Sequence, residues 1–143
     1  MDDVIRGTPL VPGAVEGEAL VTREPLSFWG GFDHRTGEVI DRRHPLAGQN
    51  AAGRILVLPY ARGSSTTTAI LLEALRAGTA PAAILTTAPE PFFALAAVVA
   101  QEAFGLSLPV VILDRRDAET LRTGMHLRLE DDGTIAVDAS PST

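Results

Sequence analysis

Arg62-Gly63-Ser64-Ser65 puts a cation, a glycine and two hydroxyls into one short stretch. Ahead of it, Ile55 to Leu58 is a continuous apolar run with β-branched Ile55 and Val57, followed by Pro59, the pattern of a short buried strand. Behind it, Thr68 to Ala77 reads as a helix, with Ile70, Leu71, Ala74 and Leu75 on one face and Gly78 as its stop. A turn between such elements delivers its hydroxyls to a helix N-terminus, where free backbone N–H groups and the macrodipole favour negative charge. Two chemistries suit that place: holding a carboxylate or phosphate, and stabilising a serine as its alkoxide. The structural alternative is a plain N-cap, which stabilises a helix by about 1 kcal/mol. Gly63 permits close backbone approach, Arg62 can pair with an anion, and the five hydroxyl residues Ser64 to Thr68 exceed what one cap uses. The residues alone leave both readings open.

Other sources of chemistry are thin. All 12 cationic residues are arginine, so every lysine-dependent mechanism is excluded, including a Gly-Lys-Ser/Thr phosphate loop. A serine-hydrolase elbow needs glycine two residues either side of the nucleophile, where Arg62 and Thr66 stand. His34 and His44, with Asp33 and Asp41 nearby, lack the helical spacing of a metal site. His126 is isolated, and Asp131-Asp132-Gly133 reads as a turn rather than a pair of acid/base carboxylates.

The elements that must position the Arg62–Ser65 turn fit one domain of 143 residues. Short apolar stretches in residues 3–22, broken by Pro12-Gly13 and Gly17, predict two strands with a turn between them. Leu26 to Asp33 contains the single Trp and two of the five Phe beside paired glycines, which predicts an aromatic core plug on a bulge. Glu38 to Asp41 and Ala82 to Thr86 read as strands. Pro91 opens a helix with Phe92, Leu95, Ala96, Val99 and Ala103 buried. Pro109 to Leu113 predicts a strand and Asp117 to Thr123 a short helix; a hairpin joins 127–129 to 135–137, and residues 139–143 form a frayed tail. Strands at both ends and strand–helix alternation over 54–123 predict a three-layer or barrel-like α/β domain with a parallel section in the middle.

A net charge of −6 and no basic stripe argue against a nucleic-acid surface. The absence of cysteine excludes disulfides and thiolate ligation by this chain. The longest apolar run, Phe92 to Ala100, is too short to span a bilayer, and the acidic start lacks the order of a signal peptide, so a cytoplasmic location is expected.

Taken together, Gly17-Glu18-Ala19, Pro25-Leu26-Ser27-Phe28-Trp29-Gly30-Gly31, Asp33, Thr36-Gly37, His44-Pro45-Leu46-Ala47-Gly48 and Arg62-Gly63-Ser64-Ser65 resemble the small, swivel-domain subunit of the aconitase X family. This family includes phosphomevalonate dehydratase small subunits and cis-3-hydroxy-L-proline dehydratases. The likeness runs from about residue 6 to 113, and the Ser-Phe-Trp-Gly-Gly block is its most specific part. It implies a single β/β/α swivelling domain that closes over a large catalytic subunit. That partner would carry an iron–sulfur cluster or iron, none being bound by this chain alone. It also implies hydro-lyase chemistry on a small hydroxy acid. The first serine of the family's Gly-Ser-Ser turn is the general base, which corresponds to Ser64, with Ser65, Gly63 and Arg62 contacting substrate. Thr66 stands where aconitases proper have arginine, so that substrate contact is not carried over. The all-arginine composition suggests a high-GC bacterium and favours cis-3-hydroxy-L-proline, with mevalonate 5-phosphate as the alternative substrate and a non-catalytic swivel-like binding module as the alternative class.

Overall fold

A computed structural model describes residues 3–62, 65–89 and 91–138. Strands β1 (Asp3–Arg6), β2 (Thr8–Val11), β3 (Val15–Val21), β5 (Ile55–Leu58), β7 (Ala83–Thr86), β8 (Val110–Ile112), β9 (His126–Leu129) and β10 (Thr134–Asp138) form one sheet in the order β1-β10-β9-β3-β5-β7-β8-β2. The run β3-β5-β7-β8 is parallel; the remaining pairs are antiparallel. Because β1 and β2 are separated only by Gly7 yet sit at opposite ends of that order, the sheet rolls into a nearly closed barrel. Two strands were expected over residues 3–22 and three form, since Gly7 divides the first stretch in two. Its N–H donates to the Gly133 carbonyl at 2.9 Å, and a Cβ there would meet Val111 Cγ1 at 2.4 Å. No larger residue fits the corner.

Two cores confirm three layers. One fills the barrel, with Ala19, Ile55, Val57, Ala83 and Leu85 facing Leu127, Leu129, Ile135 and Val137. The other lies between the parallel strands and two outer helices, α2 (Ser65–Ala77) and α3 (Pro91–Phe104). The strands β5 and β7 are buried at every residue because they serve both cores, which is why they read as unbroken apolar runs.

The helices differ from expectation in their faces. α2 starts three residues earlier, at Ser65, and buries Thr67, Thr68, Leu71 and Ala74 fully, whereas Ile70 and Leu75 are half-buried. α3 buries Phe93, Ala96, Ala97 and Ala100, leaving Leu95 exposed along with Ala103. Almost every residue of α3 is apolar, so periodicity carries little phase information; the small alanine face wins because it lets α3 approach α2 and the sheet closely. The last helix, α4 (Arg115–Glu119), begins two residues early because Asp114 caps it, its carboxylate accepting the Arg116 N–H at 3.1 Å. The strand expected over Glu38 to Asp41 is absent: only single bridges, Phe32 to Val39 and Glu38 to Asn50, hold that loop. The tail 139–143 lies outside the described residues. Among the described residues no helix is long and apolar enough to cross a membrane.

Candidate functional site

Arg62 is built into a second, two-stranded parallel sheet. Strand β4 (Leu26–Ser27) pairs with β6 (Ala61–Arg62), Leu26 opposite Ala61 and Ser27 opposite Arg62. The Leu26 N–H also donates to the Tyr60 carbonyl at 3.4 Å. β6 leaves the C-terminal end of β5 and leads into α2 within two residues, so the N-terminus of a 13-residue helix stands at the carboxyl end of the parallel strands, where ligands of α/β sheets bind. Arg62 and Ser65 are exposed there. Arg62 forms no ion pair among the described residues. The other two site residues expected from the sequence, Gly63 and Ser64, lie outside the described residues.

The aromatic block follows β4 directly. The segment α1 (Phe28–Gly31) is a kinked turn rather than a regular helix: Trp29 has φ −75°, ψ 115° and Gly30 has φ +79°. That kink sends adjacent aromatics in opposite directions. Phe28 is fully buried and packs on Phe32 (ring centroids 5.3 Å apart) and edge-on to Phe93 (5.8 Å), tying the turn to α3. Trp29 is 69% exposed, its carbonyl held by the Ser27 hydroxyl at 2.9 Å. The expected core plug is therefore Phe28 with Phe32, and Trp29 is left out of it.

His44, one of the candidate metal ligands, is buried and spent on structure. Its Nδ1 accepts the Leu46 N–H at 3.0 Å, which leaves Nε2 to donate to the Pro25 carbonyl at 3.1 Å. It pins the 41–50 loop to the start of β4. Asp33 shapes the preceding turn, and the Arg35 backbone N–H, then the Arg35 side chain, hold its carboxyl below the usual carboxylate range. His126 pairs instead with Glu16 at 3.0 Å, across the β3–β9 pair of the rolled sheet. Among the described residues no group of three or more His, Cys, Asp or Glu is placed to hold a metal.

A cleft of about 610 Å³ opens at the same end of the barrel, between the residues that follow β3, β5 and β7 and the side of α4. Thr22, Pro59, Tyr60, Thr87 and Arg115 line it, and Tyr60 connects it to the β4–β6 ribbon. Sequence reasoning missed this cleft, because its walls come from three loops and a helix with no shared motif. Arg23, also in the wall, is committed elsewhere: its guanidinium donates to the carbonyls of Ala118, Glu119 and Leu121 at 2.9–3.1 Å and closes the C-terminal end of α4.

A rolled β/β/α sheet with Arg62 and Ser65 exposed at a helix N-terminus, beside an exposed tryptophan, matches one protein family over almost its whole length. The family model of the aconitase X swivel domain matches residues 4–137, and the chain belongs to that family. It is 51% identical over 107 residues to the cis-3-hydroxy-L-proline dehydratase of Pseudomonas aeruginosa, covering 75% of this chain and 18% of that protein. It is 40% identical over 124 residues to the phosphomevalonate dehydratase small subunit of Methanopyrus kandleri, covering 86% of this chain and 87% of that one. The crystal structure of Thermococcus kodakaraensis aconitase X, in its holo form, superposes with a TM-score of 0.85 at 33% identity, over 95% of this chain and 98% of that chain. The chain spans about a fifth of the cis-3-hydroxy-L-proline dehydratases it matches, 18% and 22% of two of them.

Proposed function

We propose that this chain is the smaller, swivelling part of a cytoplasmic aconitase X-type hydro-lyase, and that it supplies Ser64 as general base for dehydration of cis-3-hydroxy-L-proline. The observation that carries the reading is the placement of α2. Ser64 falls between Arg62, fixed opposite Ser27, and Ser65, the first residue of a 13-residue helix. A hydroxyl entering such a helix has its conjugate base stabilised by unpaired N–H groups and by the helix dipole. Arg62 and Ser65, both exposed, suit the carboxylate of a hydroxy acid. The 51% identity with a protein named for cis-3-hydroxy-L-proline supports that substrate over mevalonate 5-phosphate.

In the reaction the base takes the proton from the carbon α to the carboxylate. The released electron pair forms the double bond as the C3–O bond breaks, and the hydroxyl departs as water once protonated. One helix turn lowers a serine pKa only in part, so cations outside this chain would supply the remainder. An iron–sulfur cluster or iron, as the family implies, is not matched by donors here: the chain has no cysteine and the described residues hold no ligand cluster. Those ligands would belong to the large catalytic subunit.

The test is a reconstitution with that large subunit, assayed on both substrates with Ser64 and with Ser64→Ala. Loss of the base lowers kcat by about 10²–10⁴ while the complex still assembles. Unchanged turnover refutes the base role. Turnover by the isolated chain refutes the division into two parts.

A further inference from the structure

The β4–β6 ribbon and the turns hydrogen-bonded to it carry three large apolar side chains that a folded domain would ordinarily hide. Trp29 is 69% exposed, Ile40 44% and Tyr60 43%. Their backbones form one continuous patch. The Ile40 N–H donates to the Gly31 carbonyl at 2.9 Å, and the Tyr60 carbonyl accepts from Leu26. A Cβ placed on Gly31 would lie 3.7 Å from Asp41 Cβ and 3.9 Å from Ser27 Cβ, so the 40–43 loop, the aromatic turn and β4 are in direct contact. The Trp29 backbone is held in place: buried Phe28 and Gly31 anchor its two sides, the Ser27 hydroxyl donates to its carbonyl, and Gly30 at φ +79° makes the bend. An exposed indole has only two side-chain torsions and so loses little entropy on docking, the property of an interface anchor.

The charge beside these side chains runs against the rest of the molecule. The chain carries −6 overall, yet Arg42, Arg43 and Arg62 are exposed at this patch with no ion pair among the described residues. The neighbouring carboxylate of Asp41 accepts the Arg43 backbone N–H at 3.0 Å. An apolar centre of Trp and Tyr with an arginine rim is the composition of a protein interface, and the positive rim selects an acidic partner surface.

We propose that this patch is the surface by which the chain docks on the large catalytic subunit, Trp29 entering an apolar pocket and Arg42 and Arg43 facing acidic residues around it. The inference rests on the two-part enzyme proposed above. In the Pseudomonas aeruginosa relative the matching segment is 18% of a single chain, so a much larger body is there to cover such a face. Docking at this face would also bring Arg62 and Ser65 against the partner, so that closing the interface and assembling the site are one event.

The experiment measures association of the full chain with its large subunit by calorimetry and by binding kinetics over a salt series. Trp29→Ala weakens binding roughly tenfold or more, chiefly through faster dissociation. Arg42→Glu with Arg43→Glu slows association and flattens its salt dependence. Leu95→Asp with Val98→Asp, on the exposed side of α3, leaves binding unchanged. Thermal melts of each variant alone confirm that it is folded. Wild-type binding that Trp29→Ala does not alter overturns this surface, as does loss of binding in the α3 variant alone. Wild-type chain that does not bind the large subunit at all overturns the two-part enzyme itself.

Discussion

Phe28 and Trp29 are chain neighbours of similar chemistry, and the kink between them gives them opposite energetic roles. Truncating Phe28 to alanine removes a fully buried ring that packs on Phe32 and Phe93 between the aromatic turn and α3. Buried Phe→Ala changes cost about 3–5 kcal/mol, of which the two ring–ring contacts contribute roughly 0.5–1.5 kcal/mol each. At an unfolding entropy near 2.1 cal/mol/K per residue, 143 residues give about 0.3 kcal/mol/K, so Tm falls by roughly 10–17 °C. Trp29→Ala, at a side chain 69% exposed, stays within about 0.5 kcal/mol, a shift of less than about 2 °C. Paired urea and thermal unfolding of the isolated chain measures both, with an unchanged urea slope showing that only stability moved. If the two variants lose comparable stability, the kink does not divide the aromatics as described. The use of Trp29 as an interface anchor would fall with it.

The Thr67 hydroxyl is buried and has no hydrogen-bond partner among the described residues, so Thr67→Val should raise stability by about 1 kcal/mol in urea unfolding; a loss of that size would show that the hydroxyl is satisfied. Gly133→Ala places a Cβ 2.4 Å from the Gly7 carbonyl oxygen at φ +90° and should cost more than about 3 kcal/mol, whereas Gly53→Ala, at φ +70° in open space, should cost only about 1–2 kcal/mol. The carboxyls of Asp33 and Asp132 are held below their ordinary value of 3.8, chiefly by the backbone N–H groups of Arg35 and Thr134. A folded pKa below the unfolded one means that their contribution is complete above pH 3.8 and is lost as pH falls through the lowered folded values. Asp33→Asn with Asp132→Asn should therefore flatten the acid side of the stability profile below about pH 4 while leaving neutral pH changed only slightly. A profile that keeps its slope counts against those two turns.

What could be read from the residues was what short-range physics determines. β5 and β7 were legible because burial on both faces writes an uninterrupted apolar run, and the β9–β10 hairpin because Asp131-Asp132-Gly133 has turn chemistry. Gly133 does take a positive φ. The β/β/α layering and the aconitase X family were legible through the aromatic-glycine block, which the family model bears out. The buried face of α3 was not, because an almost wholly apolar helix has no polar side to set its phase. β4 and β6 were missed for a different reason: two-residue strands exist only because distant segments meet. His44 looked like a loop histidine, and only the fold shows that both ring nitrogens are engaged by backbone. The turn at Arg62 was found as a chemical candidate, but its neighbours Trp29, Ile40 and Tyr60 come from three separate stretches that no local pattern connects.

Residues 3–11 serve both ends of the rolled sheet, β1 pairing with β10 and β2 with β8. Asp3 lies opposite Val137, one of the longest sequence separations the chain contains. The βα units around β5, β7 and β8 can form from nearby segments, whereas the opening strands must wait for β10 before their outer half has a partner. Until β1 docks, β10 presents unpaired backbone, and until β2 docks, so does β8, the kind of edge that recruits other chains. The opening nine residues of the sheet are thus its last to close, and losing them would uncover two aggregation-prone edges at once.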